Sequence, residues 1–478
     1  MLFNSFAYVV FLPIVFALYW ILKDRYRWIL LLLASYFFYM CSGPKYGLLI
    51  FSVTLVSYLS GLVIEKCSKK AQKLSALVVT VLVCMGILFF FKYFNFFSGI
   101  ANSIMQLLGI RRDPFVLNVV LPVGISFYTF QTMSYVIDVY RGVTKAEHHF
   151  GKYAAFVSFF PQLVAGPIER SNNLLPQINN DHVFDYEKAM HGVKLMLWGY
   201  YKKLVIADVL SEYVQKVFND PRSFSGFALI IASVFFSLQI YCDFSGYSDI
   251  AIGTAKLFGI DLMINFRSPY FSKSIKEFWS RWHISLSTWF RDYVYIPLGG
   301  NRVGKIRHYM NLMITFLVSG LWHGANWTFI VWGGIHGLIQ VLETAILGKK
   351  EIKNKGINVL RVMLVFVFCT LAWVFFVSHS IGDAVYVISN CLKGIGSPVH
   401  YLKNGITTIG LGTSRLFLFG LFILILAGYD LISVRDDFIK WISGRNKIIQ
   451  WCFYIIIGLI IVFFSKKGVA ADFIYFQF

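Results

Sequence analysis

SGLWHGANWTFIVWGGIHG, residues 319–337, sets an imidazole inside an apolar run. His323 has Trp322 before it, Gly324 after it, and Asn326 and Trp327 within the next turn. A polar ring in hydrocarbon costs free energy unless it meets a partner or faces a cavity. Taken as one continuous helix from 319, Ser319, His323, Asn326 and Trp327 share a face, and Gly320 and Gly324 form a small-xxx-small pair that admits a neighbouring backbone. On that helix His336 falls about 220° round from His323. It is a poor partner for His323 and reads as a structural hydrogen bond to a neighbouring helix.

The rest of the chain fits that setting. Of 478 residues, 57% are hydrophobic and 14% are charged, where a soluble domain carries about 25% charged residues. The predicted fold class is all-α: a polytopic membrane protein of about 11 transmembrane helices with re-entrant or interfacial helices. The apolar runs 28–41 and 153–168 are short enough to be partial or re-entrant. No repeat, low-complexity tract or soluble domain is apparent, so 1–478 reads as one integral membrane domain. The opening MLFNSFAYVVFLPIVFALYWILKDRYR has no basic residue before its apolar run and no small-x-small site after it. It reads as a retained first helix rather than a cleavable signal.

The net charge is +20. Its basic residues cluster in short loops, at 23–27, 65–73 and 348–355, which is the positive-inside pattern with contact to anionic lipid heads. If the first two loops are cytoplasmic, the N-terminus lies outside. No nucleic-acid motif competes. The seven cysteines are scattered and form no CxxC, so neither a disulfide framework nor a metal site is expected.

Three further places carry polar residues within apolar sequence. In LPVGISFYTFQTMSYVIDVYRG, 121–142, Gln131, Ser134, Asp138 and Arg141 recur at helical spacing. In FFPQLVAGPIER, 159–170, Pro and Gly break a helix. In QIYCDFSGYSDIAIG, 239–253, Asp243 and Asp249 flank Ser245. Each alone is compatible with an interhelical polar contact. Together with 319–337 they argue for a hydrated internal cavity.

The longest stretch without a convincing span is 264–308, with eight basic residues, Arg281 among them, and two acids. Trp279, Trp282, His283, Leu286, Phe290 and Tyr293 fall at spacings of three and four, which predicts one helix with His283 on its aromatic stripe. Lipid headgroup binding and binding of an anionic cytoplasmic substrate both suit this segment. No GxSxG and no HExxH is present, so serine hydrolase and zinc chemistry lack support. A desolvated neutral imidazole can accept the proton of a hydroxyl as that hydroxyl attacks a thioester, which is general-base acyl transfer. The residues alone reach a membrane enzyme or transporter with a polar cavity around a histidine.

SGLWHGANWTFIVWGGIHG resembles the signature of the membrane-bound O-acyltransferase family, with His323 at the position of its histidine. FWSRWHISLSTWFRDYVYIPLGG, 278–300, resembles the second signature of the bacterial branch, with His283 at its other polar active-site position. FPQLVAGPIER and DFSGYSDIAIG are similar to that branch as well, so the matching signatures span roughly 118–340. Eukaryotic members often carry Asn or Asp where His283 stands. The wording is closest to the alginate O-acetylase-like members, with the D-alanyl transferase of teichoic acid synthesis a near relative. The resemblance implies a ring of tilted helices around a central tunnel. It implies an acyl donor thioester at the cytoplasmic face, acetyl-coenzyme A or an acyl carrier, with no tightly bound cofactor or metal. It also implies an extracytoplasmic SGNH-type acetyltransferase partner and a bacterial cytoplasmic membrane. His323 and His283 are then the catalytic candidates, and Asn326, Asp243, Ser245, Asp249, Gln131 and Arg281 are candidates for substrate contact or support. The reaction expected is O-acetylation of an exported envelope polysaccharide. D-alanyl transfer to teichoic acid is the alternative, and a non-enzymatic transporter is a third reading.

Overall fold

The computed structural model describes residues 1–110, 113, 116–164, 166–346, 354–466 and 473–474, and the regular elements among them are all helices. Among the described residues, seven helices are long and apolar enough to cross a membrane: Lys45–Lys66, Lys70–Leu107, Phe227–Leu257, Trp327–Ile346, Lys355–Val377, Thr413–Ser433 and Lys447–Phe464. Their flanks leave large apolar side chains such as Phe417, Leu424, Val462 and Phe463 exposed, which suits lipid and not water. The eleven spans expected from hydropathy exceed this number. The apolar run at 115–137 becomes regular helix only at Ile125, and the run at 153–168 splits at Phe159 into helices of nine and four residues. Of the basic loop 348–355, residues 348–353 lie outside the described residues.

The chain forms two compact units, Met1–Val193 with Ala251–Met263, and Lys194–Ile250 with Ile264–Phe478. In the first, the Pro-Gly break has a specific account. Helix Phe150–Ser158 ends at Phe159, whose backbone leaves the helical region. The N–H of Phe160 turns to Ser35 Oγ at 3.0 Å, so the carbonyl of Phe156 loses its usual partner one turn on. Two amides replace it: Gln131 Nε2 and Gln162 Nε2 each donate to that carbonyl at 2.9 Å. A backbone carbonyl in an apolar interior must be satisfied by protein, and Gln131 is committed to that task. Gly124 begins the neighbouring helix in the left-handed region, and a Cβ there would lie 2.3 Å from the carbonyl oxygen of Leu163.

The second unit holds the chemistry-bearing motifs, and six of its helices are named here: α1 (Phe227–Leu257), α2 (Ile275–Arg281), α3 (Ile284–Phe290), α4 (Lys305–His323), α5 (Trp327–Ile346) and α6 (Lys355–Val377). Of α1, the part to Ile250 belongs to this unit. The expected single helix over 319–337 is not formed. α4 ends at His323, Gly324 is fully extended, and α5 begins at Trp327. The two helices fold back on each other as a hairpin, and the neighbour that the glycines admit is the next helix of the same chain. A Cβ on Gly320 would lie 2.3 Å from the carbonyl oxygen of Phe329, and one on Gly333 would lie 2.3 Å from that of Phe316. With no hydrophobic effect between helices in lipid, close backbone approach of this kind carries the packing. Gly333→Ala should therefore lower the thermal midpoint in detergent, by roughly 1–3 kcal/mol of overpacking. Gly334→Ala is the control, because its Cβ would meet only Leu317 Cδ2 at 3.6 Å. Equal midpoints for the two variants would refute this account.

Candidate active site

The hairpin break fixes His323. As the last residue of α4 it points into an aromatic wall and is 3% exposed. Trp322 stands edge-on at 5.0 Å between ring centroids, Trp332 of α5 at 5.1 Å and Phe376 of α6 at 5.3 Å. Asn326 closes the break. Its Oδ1 accepts from the N–H of Thr328 at 3.1 Å, and its Nδ2 donates to the carbonyl of His379 at 3.1 Å. Asn326 therefore shapes the turn after His323 by capping α5.

His283 reaches the same neighbourhood from a second break. The expected continuous helix over 279–293 is interrupted: α2 ends at Arg281, and His283 takes a left-handed backbone, φ 42 and ψ 55, before α3 begins. Its ring is fully buried, edge-on to Phe244 of α1 at 4.5 Å and 6.1 Å from Trp322. Both histidine rings thus neighbour Trp322, and the unit brings together the two catalytic candidates, forty residues apart in sequence. Burial pushes the His283 imidazole down to about 3, so the ring is neutral at physiological pH.

His336 behaves as its sequence reading expects, though through an interrupted helix. Trp279 Nε1 donates to its Nδ1 at 3.3 Å, which ties α2 to α5. The remaining candidates have partners of their own. Arg281 spends its guanidinium on Glu277, at 2.8 Å, and on the carbonyl of Arg267. Gln131 belongs to the other unit. Asp243, Ser245 and Asp249 face two buried lysines: Lys202 Nζ lies 2.8 Å from Ser245 Oγ and 2.7 Å from Asp249, and Lys203 Nζ lies 2.7 Å from Asp243 and 2.8 Å from Asp208. Gly199 and Gly246 allow this, since a Cβ on either would lie within 2.8 Å of the other's carbonyl oxygen. The backbone of Ile474 also donates to Asp243, at 2.8 Å.

Sequence reasoning passed over Lys202 and Lys203, although two adjacent ammonium groups in an apolar run are themselves a signal. It also passed over Asp430, inside the run at 415–434, whose carboxylate accepts from Tyr241 Oη at 2.8 and 2.9 Å. In the basic segment, Arg267, Lys273, Lys276, Arg302, Lys305 and Arg307 are exposed. The start of α2 is held down by Glu343, which accepts from the N–H of Ile275 at 2.8 Å and of Lys276 at 3.1 Å.

Comparison with known proteins gives the family. Residues 143–378 match the membrane-bound O-acyltransferase family. The chain is 44% identical over 387 residues to the probable alginate O-acetylase AlgI of Pseudomonas syringae pv. tomato, covering 80% of this chain and 73% of that protein. It is 32% identical over 527 residues to the peptidoglycan O-acetyltransferase of Helicobacter pylori, covering 100% of this chain and 98% of that protein. It is also similar to the teichoic acid D-alanyltransferase of Streptococcus thermophilus, 34% identical over 248 residues, 48% of this chain and 59% of that protein. Both histidines and the breaks that orient them fall inside the matched region, and the chain belongs to the membrane-bound O-acyltransferase family, as a multi-pass membrane acyltransferase.

Proposed function

We propose that this acyltransferase moves an acetyl group from a cytoplasmic thioester to hydroxyls of an exported cell-envelope polysaccharide, with an extracytoplasmic SGNH-type acetyltransferase as partner, in the cytoplasmic membrane of a bacterium. The observation that carries the reading is the pair of buried histidines whose rings both neighbour Trp322. In the step proposed, a ring nitrogen of His323 takes the proton of an acceptor hydroxyl while the oxygen attacks the thioester carbonyl. The C–O bond forms, the C–S bond breaks, and the leaving thiolate recovers the proton. His283, held neutral, offers one ring N–H to the carbonyl oxygen as charge develops there. The exposed basic residues around α2 and ahead of α4 suit the phosphates of acetyl-coenzyme A or an acidic carrier protein.

The matches to O-acetylases cover 80% and 100% of the chain, against 48% for the D-alanyltransferase, which favours acetate over D-alanine as the acyl group. Deleting the gene should remove base-labile acetate from one envelope polymer, and a plasmid copy should restore it. Loss of ester-linked D-alanine with acetate unchanged would replace this reading by D-alanyl transfer. His283→Ala should lower turnover about 10²-fold or more at unchanged protein amount. A wild-type rate would make His283 a packing residue.

A further inference from the structure

His283 holds a backbone conformation that an L-residue adopts at a cost. Ser268 and His283 are the non-glycine residues with positive φ among the described residues, at 45° and 42°. Such a residue is strained and persists only where its surroundings over-determine it. Those surroundings converge on Asn265. Residues 265–267 run back beside 281–285: the N–H of Arg267 donates to the carbonyl of Arg281 at 3.0 Å, and the N–H of Ile284 donates to the carbonyl of Asn265 at 2.9 Å. The Asn265 side chain is fully buried and uses both ends. Its Oδ1 accepts from Ser285 Oγ at 2.6 Å, and its Nδ2 donates to Ser248 Oγ at 2.7 Å. Ser248 lies on α1 one turn beyond Phe244, whose ring is the wall for His283. Asn265 therefore pins the two residues after His283 to the helix against which the imidazole packs. Ser268, the other left-handed residue, is anchored by its own bond from Oγ to the carbonyl of Asp430 at 2.8 Å.

We propose that Asn265 is a positioning residue for acyl transfer: it holds the backbone at 283 left-handed and so aims the His283 imidazole at the reacting thioester. This rests on the reading of His283 given above. Both anchors are short neutral hydrogen bonds at a site where a displacement of about 1 Å can cost about 10²-fold. Without them, residue 283 can relax toward the ordinary helical region, which joins α2 to α3 and turns the ring away from Phe244.

The test uses permeabilised cells expressing the full-length chain and supplied with labelled acetyl-coenzyme A. Incorporation is divided by the amount of folded enzyme and followed against donor concentration. Asn265→Ala should lower the maximal rate per enzyme roughly 10- to 100-fold, with the apparent KM for acetyl-coenzyme A within about threefold. Ser285→Ala, which removes one anchor and leaves the fold less disturbed, should cost roughly fivefold, as for loss of one hydrogen bond. A purely structural role would lower the amount of folded enzyme and leave the rate per enzyme unchanged, and that result for both variants overturns the proposal. His283→Ala is run in parallel. If it turns over at the wild-type rate, the reading of His283 fails and takes the proposal with it. If it is slow while both other variants keep wild-type turnover, only the positioning role falls.

Discussion

His323→Ala should abolish acyl transfer, by about 10³-fold or more, while the protein stays in the membrane at wild-type abundance. The two parts of this expectation have separate causes. The loss follows from removing the group proposed to take the acceptor's proton: the His283 ring stands 6.1 Å from Trp322 where that of His323 stands 5.0 Å away, and Nδ1 of His336 accepts from Trp279. The survival of the fold follows from where the hairpin is held. Its close contacts are backbone to backbone at Gly320 and Gly333, and the turn after His323 is closed by Asn326. None of these needs the imidazole. The measurement is base-labile acetate on the envelope polymer, with enzyme amount followed in the same membranes. Normal acetylation by His323→Ala at wild-type abundance would remove His323 from the chemistry.

Lys203→Met should have the opposite profile, with little folded protein to assay. Lys203 stands between Asp208 and Asp243, and all three side chains are buried. Removing the ammonium leaves two buried carboxylates without the cation they share. Breaking a buried ion pair from one side costs about 3–5 kcal/mol, a large share of the stability of any domain. Replacing the whole cluster, as Lys203→Met with Asp208→Asn and Asp243→Asn, should recover much of the loss, because neutral groups of similar shape carry no such penalty. That triple variant also decides the standing of Asp243. If it is folded and turns over normally, Asp243 supports the fold; if it is folded and inactive, a single Asp243→Asn variant that is folded and inactive places Asp243 in the reaction. A thermal midpoint for Lys203→Met equal to wild type would show that the cluster does not stabilise the unit.

Membrane class and family were legible because both are written locally. Apolar runs set the class, and the motif around His323 sets the family whatever the backbone does between its letters. The backbone breaks were not legible. Trp279, Trp282, His283, Leu286 and Phe290 fit a helical stripe, yet the helix stops at Arg281. What stops it is Asn265 bonding to Ile284 and Ser285, a contact between residues some twenty positions apart. Gly324 likewise sits in a pattern that a helix satisfies, and only the fold-back of α5 onto α4 makes the extended form preferable. The acids at 243 and 249 drew attention as charges in hydrocarbon. Their partners lie some forty residues upstream, and spacing along one helix carries no information about them.

The left-handed backbone at 283 also bears on which residues this position can accept over evolutionary time. Side chains branched at Cβ are disfavoured there by steric conflict with their own main chain, before any question of reactivity arises. The residues enriched at positive φ besides glycine are Asn, Asp and His. Exchange among the three swaps an imidazole for an amide or a carboxyl while keeping one loop geometry. Besides glycine, the backbone at 283 thus best accommodates short polar groups that can donate or accept a hydrogen bond.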